Sequence, residues 1–304
     1  MIMAERTVSL PAKIYKRDKM RPYEFILFVI LPLIPLAVFW FIPMIATFVY
    51  SFTNWDYISP TYDIVALKNY KDLLTSSDFY GALKNTFVFG VGTVIPILIL
   101  GFIFALIITS NPKAKSIFQS LLFSPWITPM VAMSIVWSWM FRPEVGIINK
   151  MLSVFGINGP AWLQDPKYAM TAIIIVTIWK QAGWAMLFYT DSMSKIPEGI
   201  FEVGDLEGAN IWQRIRYIYL PYTKSTTMVL LIMNLINSIQ AFDQISVLTS
   251  GGPAGSTRTL LYLFYQKAFE SFNMGEATSV AIVIVIITAL LAVILLRVQR
   301  RFND

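Results

Sequence analysis

Six long runs of apolar residues dominate the sequence and constrain what the chain can fold into. A helix needs about 20 apolar residues to cross the hydrocarbon core of a bilayer. Backbone groups in lipid must be paired within the protein, so helices are the expected solution. The runs lie at about 25–52, 83–109, 117–140, 168–190, 223–247 and 277–296. They predict an all-α, polytopic membrane protein with six transmembrane helices.

The composition agrees with that prediction and excludes several kinds of site. Hydrophobic residues make up 56% of the 304-residue chain and charged residues 14%, whereas a soluble domain has about 25% charged residues. The chain has no Cys and no His. Disulfides, thiol nucleophiles, imidazole bases and the usual zinc sites are therefore excluded. No two acids fall together within an apolar run, and no metal site is predicted.

Lys and Arg are distributed unevenly among the loops. With the N-terminus inside, 15 basic residues fall on the inner side and eight in the outer loops, which are longer together. This bias predicts cytoplasmic termini and explains the net charge of +6 without a nucleic-acid partner. The first run is too long for the apolar core of a signal peptide, so it is interpreted as a membrane anchor.

The runs and loops divide the chain into four parts. We expect a cytoplasmic tail at 1–24, a first transmembrane helix with its outer loop at 25–80, a transmembrane domain at 81–297 and a cytoplasmic tail at 298–304. Prolines within the runs predict kinked helices. They are Pro32, Pro35 and Pro43 in the first run, Pro96 in the second, and Pro125 and Pro129 in the third.

The segment between the fourth and fifth runs is too long for a simple turn. Pro197 suits the first turn of a helix, acidic residues up to Asp205 lie early, and Arg214 lies late, as the helix dipole favours. The pattern predicts one short helix over about 198–214. Gly208 inside it would cost roughly 1 kcal/mol relative to Ala. It removes bulk and would let another protein's surface approach closely.

The same segment carries a spaced motif, Glu202-Val203-Gly204, then Gly208, then Ile218-Tyr219-Leu220-Pro221. It resembles the "EAA" loop of ABC importer permeases, E-A-A-x3-G-x9-I-x-L-P, with every spacing kept and two alanines replaced. The resemblance extends to Asn85-Thr86, to Pro125-Trp126 with Pro129, and to Gly251-Gly252-Pro253. Two motifs of the last outer loop resemble the carbohydrate branch of that family, which includes maltose-type and glycerol-3-phosphate-type permeases. They are Thr257-Arg258-Thr259-Leu260 and Tyr265-Gln266-Lys267-Ala268-Phe269.

The resemblance implies a type I ABC importer transmembrane fold with a cytoplasmic coupling helix at about 198–214. In that family the coupling helix docks on an ATPase subunit. The coupling residues implied here are Glu202, Val203, Gly204, Asp205, Gly208, Ala209, Ile218, Leu220 and Pro221. The alternative is an amphipathic interfacial helix that binds no partner.

The resemblance also implies partners. They are a second homologous permease subunit, two cytoplasmic ATPase subunits, an extracytoplasmic solute-binding protein and membrane lipid. The sequence contains no glycine-rich phosphate loop of the G-x-x-x-x-G-K-[ST] type. We therefore expect a non-catalytic subunit that binds no cofactor itself, with ATP and Mg on the ATPase subunits.

Polar residues inside the fourth and fifth runs suggest a substrate pathway. Asn234, Asn237 and Ser238 recur at helical spacing, and amides beside aromatic rings suit sugar hydroxyls and sugar C–H faces. Resemblance to maltose-type permeases implies Lys180, Gln181, Trp184, Asn234 and Ser238, and the residues themselves add Asn237, Gln240 and Asp243. The alternative is hydrogen bonding between helices.

Lys180 has three interpretations of its own. It could attract an anionic substrate, extend to the cytoplasmic side, or pair with Asp243, and pairing is the most conservative interpretation.

The predicted function is that of a permease subunit in a prokaryotic inner membrane. It would belong to an ATP-driven, binding-protein-dependent importer for a sugar or oligosaccharide, working by alternating access. An importer for another solute remains an alternative. An ion-coupled transporter would need buried acids or inverted repeats, and a membrane enzyme would need convergent acids or a nucleophile–base pair.

Overall fold

The computed structural model describes residues 21–110 and 115–303. Most of the predicted N-terminal tail, the turn residue Lys113 and the terminal Asp304 lie outside these residues. The chain divides into two units, Met1–Ala46 and Thr47–Asp304.

The described residues form helices joined by loops, with an isolated antiparallel bridge between Thr53 and Ile64. Among the residues that the structure describes, π-helical turns lie within the helical stretches at Ile26–Ile30, Ala37–Phe41, Ile215–Tyr219 and Gln266–Glu270. The α-helices are α1 (Pro22–Phe25), α2 (Leu31–Leu36), α3 (Ile42–Tyr50), α4 (Lys68–Thr75), α5 (Ser77–Thr109), α6 (Lys115–Ile127), α7 (Met130–Met140), α8 (Ile147–Val154), α9 (Ala169–Ser194), α10 (Glu198–Leu206), α11 (Ile211–Arg214), α12 (Leu220–Ile239), α13 (Asp243–Thr249), α14 (Leu260–Tyr265) and α15 (Met274–Asn303).

These helices account for the six apolar runs. In the described part of the chain, four helical stretches are long and apolar enough to cross a membrane unbroken: Ile26–Tyr50, Ser77–Thr109, Ala169–Ser194 and Met274–Gln299. The third and fifth runs are bent pairs of helices. The bend is 96° between α6 and α7, and 46° between Ile211–Ile239 and α13. Counting each pair as one crossing gives the six predicted spans.

Small residues allow the helices of the second unit to approach closely. A Cβ on Gly101 of α5 would lie 2.7 Å from the Cβ of Ala185 on α9. A Cβ on Gly183 of α9 would lie 1.8 Å from the carbonyl oxygen of Leu122 on α6. Only glycine fits at these crossings, because any side chain would push the two backbones apart.

Pro96, where a kink was expected, lies within the single helix α5.

The bend in the third run follows from its prolines. Pro125 has no N–H, so the carbonyl of Leu121 loses its helical donor, and the hydroxyl of Ser124 donates to it instead at 2.9 Å. Pro129 likewise has no N–H for the carbonyl of Pro125. The helix stops at Ile127, and further carbonyls at the break need donors from elsewhere.

Lys180 of α9 supplies those donors. Its Nζ lies 3.1 Å from the carbonyl oxygen of Pro125 and 3.0 Å from that of Trp126, and it also donates to Thr128. An ammonium group has three donors, and here each meets a backbone carbonyl. The side chain is buried, at 8% exposure. The pairing with Asp243 is therefore wrong: that carboxylate lies exposed in the first turn of α13.

Two of the sequence motifs named above, Asn85-Thr86 and Thr257-Arg258-Thr259-Leu260, also meet in the structure. The amide nitrogen of Asn85 donates to the carbonyls of Gly255 and Arg258, at 2.9 and 3.1 Å. The hydroxyl of Thr86 accepts from the N–H of Leu260 at 2.9 Å. α5 thereby holds the loop that follows α13.

The contacts of Lys180 predict a specific loss of stability. Lys180→Met should leave carbonyls at the α6–α7 break without donors, at a cost of about 1–3 kcal/mol for each buried group left unpaired. The thermal unfolding midpoint of the purified protein in detergent should fall. Lys195→Met is the matched control, because its ion pair with Asp191 is exposed and such pairs contribute about 0–1 kcal/mol. Equal midpoints for the two variants would contradict the role assigned to Lys180.

Candidate functional site

The segment predicted as one helix over 198–214 is two helices, so that prediction is corrected. α10 ends at Leu206, and Gly208 has a φ of +70°. The N–H of Ala209 donates to the carbonyl of Gly204 at 2.8 Å, and that of Gly208 to Asp205 at 3.1 Å. This is the hydrogen-bond pattern of a Schellman motif, which ends a helix with glycine in the left-handed region.

Gly208 is therefore required by its backbone conformation. A side chain in the left-handed region costs roughly 1–2 kcal/mol. Within the described part of the chain, no nearby heavy atom would come within 4 Å of a Cβ at this position. The space beside Gly208 is open for another molecule.

A second set of contacts fixes the helix that follows the turn. Asn210 caps α11: its side chain accepts from the N–H of Gln213 at 3.0 Å, and the Gln213 side chain accepts from the N–H of Asn210 at 2.7 Å. The guanidinium of Arg214 reaches back across the turn to Asp205 and to the carbonyl of Ala209. α10 and α11 are thus held as a pair, which we call the 198–214 helix pair.

The 198–214 helix pair is anchored to the membrane spans through apolar contacts. Gly204 is buried, and a Cβ there would lie 3.6 Å from Cδ1 of Ile218. Ile218 belongs to a buried cluster with Met193 and Ile196, which lie at the end of α9 and just beyond it. The helix pair therefore packs directly against the end of α9 and the π-helical turn that leads into α12.

The outer surface of the helix pair is unusually apolar for a loop. Leu206 is 89% exposed and Trp212 is 76% exposed. A concave region of about 350 Å³ lies alongside, lined in part by Val203, Arg214 and Tyr217. Clustered exposed apolar side chains on a rigid support are typical of a protein contact surface.

The remaining coupling candidates divide by exposure. Gly204 and Ile218 are buried and Ala209 is half-buried, so they support the helix pair from within. The others are exposed and available to a partner: Glu202, Val203, Asp205, Gly208, Leu220 and Pro221.

The pathway candidates are likewise not all on one surface. Asn234 is 2% exposed; its amide nitrogen donates to the carbonyl of Leu230 at 2.8 Å, and its Oδ1 has no hydrogen-bond partner among the described residues. Ser238 is buried with its hydroxyl against α5, where a Cβ on Gly90 would lie 3.0 Å away. Three others are exposed: Asn237, Gln240 and Asp243.

On α9 the candidates form an aromatic group. Gln181 and Trp184 are half-buried. The ring of Trp184 stacks on Trp126 with centroids 5.1 Å apart and packs against Phe188 at 4.7 Å. Lys180 lies 5.7 Å from the Trp126 ring, within cation–π range. Lys180 is thus surrounded by carbonyls and an aromatic ring and belongs to the structural core of the α6–α7 break.

Sequence reasoning missed several functional contacts. Asn210 and Gln213 carry a capping box, and the spacing of a capping residue followed three positions later by Gln could have revealed it. The role of Arg214 across the turn depends on the position of Gly208 and has no sequence signal. Among the described residues, no cluster of three or more His, Cys, Asp or Glu side chains could hold a metal ion.

Comparisons with known proteins place this geometry in a family. Residues 97–304 match the family model of the binding-protein-dependent transport system inner membrane component. The permease protein MsmF of the multiple sugar-binding transport system of Streptococcus mutans is 30% identical, over 91% of this chain and 95% of that protein. The permease protein MalF of the trehalose/maltose transport system of Thermococcus litoralis is 30% identical, over 90% and 93%.

A solved structure has the same fold. A chain from a bacterial ABC transporter involved in the import of the acidic polysaccharide alginate superposes with a TM-score of 0.81 at 21% identity, covering 93% of this chain and 97% of that chain. The predicted type I ABC importer transmembrane fold is confirmed. The chain belongs to the family of binding-protein-dependent transport system inner membrane components.

Proposed function

We propose that this chain is the membrane-spanning permease subunit of an ATP-driven, binding-protein-dependent importer for a sugar or oligosaccharide. The observation that carries the proposal is the 198–214 helix pair, which has an exposed apolar surface and is locked to the ends of α9 and α12. The sugar transport systems named for MsmF and MalF support the choice of cargo.

The mechanism is alternating access driven from the cytoplasmic side. Two ATPase subunits, supplied as separate chains with ATP and Mg, close on ATP binding and displace the helix pair. Because Ile218 packs within the same cluster as Met193 and Ile196, that displacement moves α9 and α12 together. The ATPase subunits can drive this conformational change only if they bind one conformation of the permease more tightly than the other. The present chain performs no catalysis and transmits the motion.

The substrate pathway lies between this chain and a second permease subunit. Polar side chains are costly on a surface that faces lipid. The exposed amides of Asn237 and Gln240 therefore indicate that their surface faces water or another protein chain. The pathway therefore uses the exposed polar residues of α12 and the adjoining break, including Asp243. The buried Asn234 and Ser238 position these residues from inside the chain.

The proposed setting is a prokaryotic inner membrane with both termini in the cytoplasm. The positive-inside bias of the loops supports this orientation. It places the 198–214 helix pair on the ATPase side and the loop held by Asn85 on the side of an extracytoplasmic solute-binding protein.

Removing the exposed apolar side chains should weaken ATPase binding without unfolding the chain. The double variant Leu206→Ser with Trp212→Ser should lose at least tenfold in affinity for the ATPase, equivalent to about 1.4 kcal/mol. The measurement is the amount of ATPase that copurifies with the chain as salt and detergent are varied. The control is Ile58→Ser, since Ile58 is also highly exposed but lies in the first outer loop. Undiminished copurification with the double variant would count against docking at this surface.

Substitutions at Gly208 should separate backbone strain from steric exclusion of the partner. Gly208→Ala and Gly208→Arg share the strain of a φ of +70°, but only Arg fills the open space beside the turn. We expect Gly208→Arg to abolish uptake while the protein remains in the membrane, and Gly208→Ala to retain part of it. Uptake assays in cells, with immunoblots of the membrane fraction, measure both quantities. Equal loss in the two variants would mean that the turn matters only for folding.

Truncating exposed amides should weaken substrate handling. Asn237→Ala and Gln240→Ala should each raise the substrate concentration for half-maximal uptake by about 2–10-fold, since a hydrogen bond contributes about 0.5–1.5 kcal/mol. Val229→Ala, also on the exposed surface of α12, is the control. Uptake of radiolabelled sugar by proteoliposomes gives these values. Unchanged uptake in both amide variants would remove these residues from the pathway.

A further inference from the structure

The short helix α8, in the loop between α7 and α9, has three distinct faces. At 100° per residue, its positions separate into an inward face, a polar exposed face and an apolar exposed face. The inward face has Ile148, Asn149 and Leu152, and the polar face has Lys150 and Ser153. The apolar exposed face, which we call the α8 apolar face, consists of Ile147, Met151, Val154 and Phe155.

α8 is held rigidly by its inward face. The amide nitrogen of Asn149 donates to the carbonyls of Pro143 and Pro160, at 3.0 and 3.1 Å. Its Oδ1 accepts from the indole N–H of Trp162 at 2.7 Å. A Cβ on Gly159 would lie 2.0 Å from the same Oδ1, so the loop closes tightly on Asn149. The orientation of the α8 apolar face is therefore fixed.

A glycine turn ends α8 directly after this face. Gly156 has a φ of +72°, and the N–H of Ile157 donates to the carbonyl of Leu152 at 3.0 Å. This is again a Schellman motif. Val154 is 81% exposed and Phe155 is 78% exposed. A fixed backbone thus presents large apolar side chains that nothing else in the described chain covers.

The position of α8 relative to the membrane spans indicates what covers these apolar side chains. Ile148 packs against a cluster that includes Phe141, directly after α7, and Met170, at the start of α9. Two spans end at this level, so α8 lies at a membrane boundary. α7, which leads into this loop, also carries large exposed apolar side chains, such as Trp139 at 59% exposure.

We propose that α8 is an interfacial helix whose apolar face inserts into the outer leaflet. A helix with one apolar and one polar exposed sector lies in the plane of the interface, with its apolar side chains among the acyl chains. Lys150 and Ser153 then face water and lipid headgroups. The helix holds the adjoining ends of α7 and α9 at a fixed depth while the rest of the bundle moves.

Collision accessibility of spin labels tests the proposal. The chain has no Cys, so each single substitution carries one nitroxide in this chain. Labels at Met151→Cys, Val154→Cys and Phe155→Cys are compared with Lys150→Cys and Ser153→Cys on the same helix. The full-length chain is reconstituted, with the chains that purify with it, in vesicles of phosphatidylethanolamine and phosphatidylglycerol.

Insertion predicts opposite accessibilities on the two exposed faces. Labels on the α8 apolar face should collide at least severalfold more with oxygen than with a water-soluble nickel chelate, and the order should reverse at Lys150 and Ser153. Nickel accessibility at Phe155 equal to that at Lys150 would overturn the proposal. Shielding of Phe155 from both reagents would also overturn it, because a protein partner would then cover the face. ATP hydrolysis by each labelled complex verifies assembly and reports separately on the proposed function.

Discussion

The need to pair every backbone carbonyl in a lipid environment shapes this molecule. Helices solve the problem along the spans, but the third run carries two prolines that cannot donate. Ser124 and Lys180 supply the missing donors, one within the helix and one from α9. A bend of 96° thus becomes a fixed joint between three helices. The close approach at Gly183 lies beside that joint, so the packing of α6 on α9 and the hydrogen bonds at the break depend on each other.

Whereas Ser124 and Lys180 hold a broken helix together, two glycine turns near the ends of the spans terminate short helices. Gly156 and Gly208 each end a short helix in the left-handed region with the same pair of hydrogen bonds. In both places the helix presents apolar side chains outward while its other face is anchored to neighbouring helices. Each short helix is therefore held in one orientation, with its exposed apolar side chains directed away from its anchored face.

The sequence predicted the number and kind of spans because lipid imposes a strong, local requirement for apolar residues. It also located the prolines that break the third run, although a bend angle depends on packing that spacing does not encode. The 198–214 prediction failed because Gly208 was treated as a tolerated helical residue, whereas it adopts a φ of +70° and Arg214 pairs back across it with Asp205, nine positions earlier. The partners of Lys180 could not be predicted either. Every residue has a backbone carbonyl, so the sequence does not show which carbonyls will accept from the lysine.

The division of polar residues on α12 bears on how such a subunit recognises cargo. Asn234 and Ser238 face into the chain, where the amide nitrogen of one and the hydroxyl of the other donate to carbonyls of the same helix. Asn237 and Gln240 are exposed, and they lie next to the 46° bend before α13. A movement that changes this bend would turn the exposed amides relative to any hydrogen-bonded partner, and a hydrogen bond weakens steeply when its donor and acceptor lose alignment.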